Sequence, residues 1–235
     1  MFLLNNNLLF TITADMGGWE LFISSLWPML SGAIQYTIPL TLISFVLGLV
    51  LALLTATMRL SKSSIFRIPA VIYVSAIRGT PLLVQLFIIF FGLPSIGLTI
   101  DPFPSAIIAF TLNVGAYASE IIRASILSIS NGQWEAAYTI GMTKMTALRR
   151  IILPQATRVS VPPLSNSFIS LVKDTSLASL ILVSEMFRRA QEIAARTYDF
   201  LLLYVEAALI YWMICFILSL VQAGFEKRLD RYTAK

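Results

Sequence analysis

Histidine is absent from the 235-residue sequence, cysteine occurs once, and charged residues make up only 12% of the chain. The absence of histidine removes the commonest general base and metal ligand of proteins. The lone cysteine, Cys215, excludes an intrachain disulfide and a zinc cluster built on cysteines. No GxxxxGKS or GxxxxGKT phosphate-binding loop occurs, so ATP, if it drives this protein, binds to another chain. The chain therefore resembles neither a metalloenzyme nor a nucleotide-binding subunit.

Apolar residues dominate instead, at 57% of the chain, with a mean hydropathy of +0.82. Soluble domains carry about 25% charged residues, so the composition predicts an all-α integral membrane protein. The long apolar runs predict five transmembrane helices, at 33–58, 68–93, 105–127, 156–183 and 200–225. Pro81 removes a backbone donor inside the second run, so that helix should be kinked or interrupted there.

The basic residues lie beside these spans rather than on one surface patch. The stretches 59–67, 143–158 and 227–235 are basic, and the positive-inside rule places all three in the cytoplasm. The N-terminus is then outside and the C-terminus inside. The net charge of +5 is interpreted as this topology signal and not as a nucleic-acid-binding surface. The stretch 185–199 would be an external interfacial helix, and its three arginines are the one departure from the charge bias.

The segment 128–155 is the only long polar, basic segment between two very apolar ones. Its pattern predicts a short amphipathic helix over Asn131–Tyr138 and a second helix over Thr143–Leu153. Gly141 tolerates a positive φ and suits a tight turn between them. Pro154 is expected to close the second helix. On physical grounds alone, an ordinary cytoplasmic loop with two amphipathic helices explains this pattern equally well.

Within this loop, the spacing of Glu135-Ala136-Ala137, Gly141 and Ile151-x-Leu153-Pro154 resembles the EAA loop of ABC importer permeases. The resemblance extends over residues 59–225. It includes the stretches RGTPLLVQ at 78–85 and KDTSL at 173–177, which look like the polar amino-acid branch of that family and are similar to L-cystine permeases in particular. The resemblance implies that 33–225 is an ABC type I transmembrane domain, with 1–32 an external or interfacial segment and 226–235 a cytoplasmic tail. The implied coupling residues are Glu135, Ala136, Ala137, Gly141, Ile151, Leu153 and Pro154.

The resemblance also implies partners. A second permease chain, identical or similar, would complete one pathway, and two ABC ATPase subunits would dock on the coupling loop. ATP and magnesium would be bound by those ATPases, with no cofactor on this chain and no bond chemistry of its own. An extracellular or periplasmic amino-acid-binding protein would deliver the substrate. The expected location is the bacterial cell (inner) membrane, as a multi-pass protein surrounded by lipid bilayer.

Ionisable residues inside a membrane span are expensive, so they should face a cavity or pair with one another. A zwitterionic amino acid needs a cation for its carboxylate and an acceptor for its ammonium group. Arg78 could supply the first, and Glu120 or Asp174 the second. The alternative is that Arg78 and Glu120 form an ion pair that only holds helices together. The predicted pathway residues are Arg78, Thr80, Gln85, Asn113, Tyr117, Glu120, Asn166, Lys173, Asp174, Thr175 and Ser176.

Two other functional classes remain open at this stage. A stand-alone secondary transporter or channel would need no coupling loop, and five spans make a poor closed pathway for one chain. An intramembrane hydrolase would need a nucleophile and a base, for which only Ser176 with Lys173 remains without histidine. The polar residues of the last span are interpreted as packing or dimer contacts. These are Glu206, Tyr211, Trp212 and Cys215.

Overall fold

The computed structural model describes residues 17–230, and this part of the chain forms helices without any strand. Residues 1–16 of the predicted N-terminal segment and residues 231–235 of the predicted tail lie outside the described range. The helices are α1 Gly18–Arg59, α2 Ser64–Arg78, α3 Leu82–Ile96, α4 Pro102–Leu127, α5 Asn131–Thr139, α6 Lys144–Ile181, α7 Met186–Thr197 and α8 Phe200–Asp230. The all-α prediction is confirmed for the described residues.

The first helix is much longer than the predicted span. It begins at Gly18 rather than at residue 33 and runs for 42 residues, which corresponds to about 63 Å against a hydrocarbon thickness of about 30 Å. Its N-terminal half buries one face at helical spacing, formed by Leu21, Ser25, Met29 and Gly32. That face packs against α7 and α8. The predicted boundary at residue 33 is therefore not a break in the helix.

The interruption predicted at Pro81 is present. Helix α2 ends at Arg78, α3 begins at Leu82, and the two are bent by 104°. Helix α6 and α7 form a second bent pair, at 49°. Among the described residues, three helices are long and apolar enough to cross a membrane alone, and up to five spans result if each bent pair counts as one.

Three helices widen into a π-helical turn just before a proline. The turns are Ala33–Thr37, Ile88–Gly92 and Leu148–Ile152, and Pro39, Pro94 and Pro154 follow them. A proline ring clashes with the carbonyl four residues earlier in an α-helix, and that carbonyl lies inside the wide turn in each case. The prediction that Pro154 closes a helix is therefore wrong, because α6 continues through it.

The apolar core has two parts. The larger cluster joins α1, α3, α4 and α6 around Leu40, Leu86 and Phe110, all fully buried. Gly48 allows α1 and α4 to approach closely, because a Cβ at this position would lie 2.5 Å from Val114. The smaller cluster joins the start of α1 to α7 and α8. The break between α2 and α3 lies against the larger cluster, which fixes the position of the site described next.

Candidate functional site

A cavity of about 460 Å³ opens where the α2–α3 break meets α4 and α6. Its wall contains five of the predicted pathway residues: Thr80, Asn113, Tyr117, Asn166 and Asp174. Helical spacing explains the grouping, since Asn113 and Tyr117 are one turn apart on α4, and Asn166, Ser170 and Asp174 follow at intervals of four on α6. The sequence therefore predicted the polar stripes on two helices, and the structure brings them to one cavity.

Gln85 supports this cavity from behind the wall. Its amide nitrogen donates hydrogen bonds to the carbonyls of Ile77, at 2.8 Å, and Thr80, at 3.1 Å, and to the Thr80 hydroxyl, at 3.0 Å. Its amide oxygen accepts a hydrogen bond from Asn113 Nδ2 at 3.3 Å. Gln85 therefore satisfies carbonyls left open by the helix break and ties the break to α4. It positions Thr80 and Asn113 rather than contacting the cavity.

Asp174 is the acidic group of the cavity. It is the last residue of the α-helical part of α6, before the 3₁₀ turn Thr175–Ile181. Within the described part of the chain, its carboxylate forms no ion pair and no hydrogen bond. The charge of the neighbouring Lys173 acts on this carboxylate without forming an ion pair with it. The carboxylate oxygens are therefore open to an ammonium group in the cavity.

Glu120 lies outside the cavity and is shared by three arginines. It pairs with Arg59, with Arg123 at 3.0 Å from Nε to Oε1, and with Arg78 at 3.4 Å from Nη1 to Oε2. Three guanidinium groups and one carboxylate leave this cluster with a formal charge of 3 − 1 = +2. The predicted alternative of an isolated Arg78–Glu120 pair does not describe this arrangement. Arg78 also lies 5.3 Å from the centroid of the Tyr117 ring, which places its charge at the rim of the cavity.

Arg59 was missed as a site residue. It follows the first apolar run, and the charge rule assigned it only a topological role. The sequence does contain a signal for this contact, which is an imbalance of charge. Glu120 is the one acidic residue between 102 and 134, while several arginines flank the spans and could share it.

The remaining predicted pathway residues do not reach the cavity wall. Lys173 is exposed and does not line the cavity, although its charge acts on the neighbouring Asp174. The buried Thr175 hydroxyl donates to the Val172 carbonyl at 2.7 Å, and the Ser176 hydroxyl donates to the Lys173 carbonyl at 2.7 Å. Because Ser176 bonds to the backbone of Lys173 and not to its ammonium group, the serine–lysine arrangement needed for a hydrolase is not formed. No group of three metal-ligating side chains occurs in the range 17–230.

The predicted coupling residues lie on a helical hairpin formed by α5 and the start of α6. Gly141 has φ +80°, as the tight turn requires, and its N–H donates to the Tyr138 carbonyl at 2.9 Å. Ala137 is buried and anchors the hairpin, whereas Glu135 is exposed. Ala136, Gly141, Leu153 and Pro154 are also exposed, and Ile151 is half-buried.

The hairpin presents apolar side chains to solvent. Tyr138, Ile140 and Met145 are all exposed at its tip. Ala147 and Ile152 are fully buried in the same stretch of α6. An exposed apolar tip of this kind suits docking to another protein.

The comparisons with known proteins agree with this geometry. The chain is 67% identical over 218 residues to the L-cystine transport system permease protein TcyB of Bacillus subtilis (strain 168), covering 92% of this chain and 93% of that protein. It superposes on a solved amino acid ABC transporter with histidines at a TM-score of 0.85, with 36% identity, covering 88% of this chain and 96% of that one. The inward-facing MetNI methionine ABC transporter, at 18% identity and a TM-score of 0.66, shares the fold. Residues 46–231 match the binding-protein-dependent transport system inner membrane component family. The chain therefore belongs to this family of ABC transporter permeases.

Proposed function

We propose that this chain is the permease subunit of an ATP-driven importer for a polar amino acid, with L-cystine as the substrate. The observation that carries the proposal is the cavity with the unpaired Asp174 carboxylate on its wall and the Arg78 guanidinium at its rim. The identity of 67% to a permease named for L-cystine transport supports the choice of substrate. None of the comparisons supports the alternative of a stand-alone secondary transporter or channel.

The two charges suit the two ends of a zwitterion. Asp174 accepts the ammonium group of the substrate, and Arg78 donates to its carboxylate, since charge-assisted hydrogen bonds are the strong ones. Thr80, Asn113 and Asn166 supply neutral donors and acceptors between them. Gln85 and Glu120 orient other residues and do not contact the substrate. Gln85 holds the helix break in place, and Glu120 holds Arg78 against Tyr117. Lys173, Thr175 and Ser176 lie off the cavity wall and make no direct contact with the substrate in this proposal.

Family membership makes this chain a multi-pass inner membrane component that works with an ATPase, a substrate-binding protein and a second permease-type chain. We further propose two ATPase subunits that bind ATP and magnesium and dock on the hairpin 128–155, with no cofactor on this chain. The transmembrane domain is 33–225, with five spans, an external N-terminus and a cytoplasmic tail at 226–235. The location is the bacterial cell membrane, and the binding protein approaches from outside.

The experiment is uptake of radiolabelled L-cystine into proteoliposomes that contain the permease, its ATPase and its binding protein. Asp174→Asn removes the charge and preserves the shape of the side chain, so it should reduce uptake at least about tenfold, the effect of losing one charge-assisted hydrogen bond. Asp101→Asn is the matched control, because it makes the same substitution at an exposed carboxylate that lies off the cavity. Equal uptake by Asp174→Asn and the parent protein would remove Asp174 from the pathway. Absence of ATP-driven uptake of any amino acid by the parent protein would refute the proposed function.

A further inference from the structure

A second pocket, of about 430 Å³, lies between the 3₁₀ end of α6, the helix α7 and the start of α8. It is lined by Ser179, Leu180, Arg188, Gln191, Glu192, Ala195, Phe200 and Tyr204. None of these residues lines the main cavity. The pocket contains Arg188, one of the three arginines in the stretch 185–199 that depart from the charge bias.

Hydrogen-bond donors outnumber acceptors in this pocket. The Glu192 carboxylate is the acidic group, and it is already engaged by Arg188 Nε at 3.2 Å and by Arg189 Nη1 at 3.3 Å. The terminal nitrogens of Arg188, the side-chain amide of Gln191 and the hydroxyl of Tyr204 have no hydrogen-bond partner in the described part of the chain. A pocket with a spare guanidinium fork and neutral donors is suited to an anion with planar oxygens.

Ser179 is an independent observation for a ligand. The residue is 1% exposed, belongs to the wall of the pocket, and its hydroxyl has no partner among the described residues. Buried polar groups are nearly always hydrogen-bonded, so an orphaned hydroxyl at a pocket points to a bound group that the protein alone does not supply.

The pocket and the main cavity lie on the same face of α6. Leu177 lines the cavity and Leu180 lines the pocket, and both belong to the 3₁₀ turn Thr175–Ile181. Side chains three residues apart eclipse one another in a 3₁₀ helix, with a rise of about 6 Å between them. The pocket and the cavity are therefore adjacent along α6, about one 3₁₀ turn apart at Leu177 and Leu180.

We propose that this pocket is a second substrate site, which binds the carboxylate of the amino acid before it enters the main cavity. The assignment rests on the proposed function, which supplies an amino acid as the ligand. The volume lies in the range of small-molecule sites, about 300 to 1,000 Å³, and exceeds what one acidic side chain of a docking protein would fill. Arg188 provides the charge, Tyr204 and Gln191 the neutral donors, and Phe200 an apolar wall. The site accounts for an arginine on the side of the membrane where the charge rule does not expect one.

The test is equilibrium binding of radiolabelled L-cystine to the purified permease–ATPase complex, without the binding protein. The parent complex should bind two molecules per permease chain. Arg188→Gln and Tyr204→Phe should each weaken one of the two sites, the first at least about tenfold. Tyr204→Phe keeps the ring that packs 5.4 Å from Phe187 and removes only the oxygen. Arg196→Gln is the matched control, because Arg196 is exposed on the same helix and lies outside the pocket.

Two results would overturn the proposal. One is binding by Arg188→Gln and Tyr204→Phe that matches Arg196→Gln in both stoichiometry and affinity. The other result comes from a second assay, in which the binding protein is added and ATPase stimulation is measured. If Arg188→Gln and Tyr204→Phe bind L-cystine normally but need more binding protein for half-maximal stimulation, the pocket is a contact for the binding protein instead. In either case the parent complex would still transport, so the proposed function would stand. If the parent complex showed no ATP-driven transport at all, the proposed function itself would be refuted.

Discussion

The arginine cluster at Glu120 permits a quantitative test, because the three arginines depend on one carboxylate. The side chains of Arg59 and Glu120 are only 17% and 21% exposed, whereas Arg78 is 43% exposed. Glu120→Gln keeps the shape of the side chain and removes the single negative charge. Arg59, Arg78 and Arg123 would then converge without an acidic partner in the described part of the chain. Replacing one arginine leaves Glu120 with two others.

The expected costs follow from this asymmetry. Removing one partner of a buried ion pair costs about 3–5 kcal/mol, and exposed pairs are worth about 0–1 kcal/mol. Partial exposure places Glu120→Gln near the lower end of the first range, at about 3 kcal/mol of unfolding free energy. Arg59→Met should cost about 1 kcal/mol, and Arg78→Met should cost less than that. The double variant Arg78→Met with Glu120→Gln should stay destabilised, because two arginines remain unpaired.

The assay is reversible unfolding in mixed micelles, with uptake measured on the same variants. Arg78→Met should reduce uptake, because it removes the positive charge beside Tyr117 at the rim of the cavity. It should change the free energy of unfolding little. Comparable destabilisation by Arg78→Met and Glu120→Gln, with stability and uptake both restored in the double variant, would refute this reasoning. Such a result would make Arg78 and Glu120 an isolated structural pair, and both would be withdrawn as functional residues.

Two further predictions concern topology and coupling. Lys144→Cys in a Cys215→Ser background should react with a membrane-impermeant thiol reagent only after cells are permeabilised, and labelling in intact cells would contradict the five-span topology. Gly141→Asp should abolish ATP-driven uptake without preventing insertion, because φ +80° costs a side-chain-bearing residue about 1–2 kcal/mol and reshapes the hairpin. Gly132→Asp adds the same charge to the same hairpin, in equally open space and without a positive φ, and should retain uptake.

Local sequence signals predicted the parts of the fold that depend on one or two residues. Pro81 marked the break between α2 and α3, and Gly141 marked the hairpin turn. The extension of α1 to Gly18 was not predicted, because the residues that pack against this half lie on α7 and α8. The wide turn before Pro154 was also missed, since a proline signals an interrupted hydrogen-bond ladder but not whether the helix ends or widens.

The candidate site was predictable where helical periodicity applied. Asn113 with Tyr117 and Asn166 with Asp174 followed from spacing along one helix. Which polar residues reach the cavity and which support it depends on how helices meet, so Gln85 was grouped with the wall. The partners of Glu120 come from three helices, α1, α2 and α4, and no local pattern encodes such a meeting.

The passage of α6 through Pro154 has a mechanical consequence. From Lys144 at the hairpin to Asp174 at the cavity, the chain is one unbroken helix of 31 residues, about 45 Å long. In the proposed function the ATPase docks at the hairpin end and the substrate binds at the cavity end, so both sites lie on a single lever with no hinge loop between them. A displacement imposed at the hairpin would then reach the cavity scaled by the position of the fulcrum, where the helix packs against α4. The wide turn at Leu148–Ile152 and the pair Pro162 and Pro163 both interrupt the α-helical hydrogen-bond ladder of that lever, and the wide turn lies closer to the hairpin end.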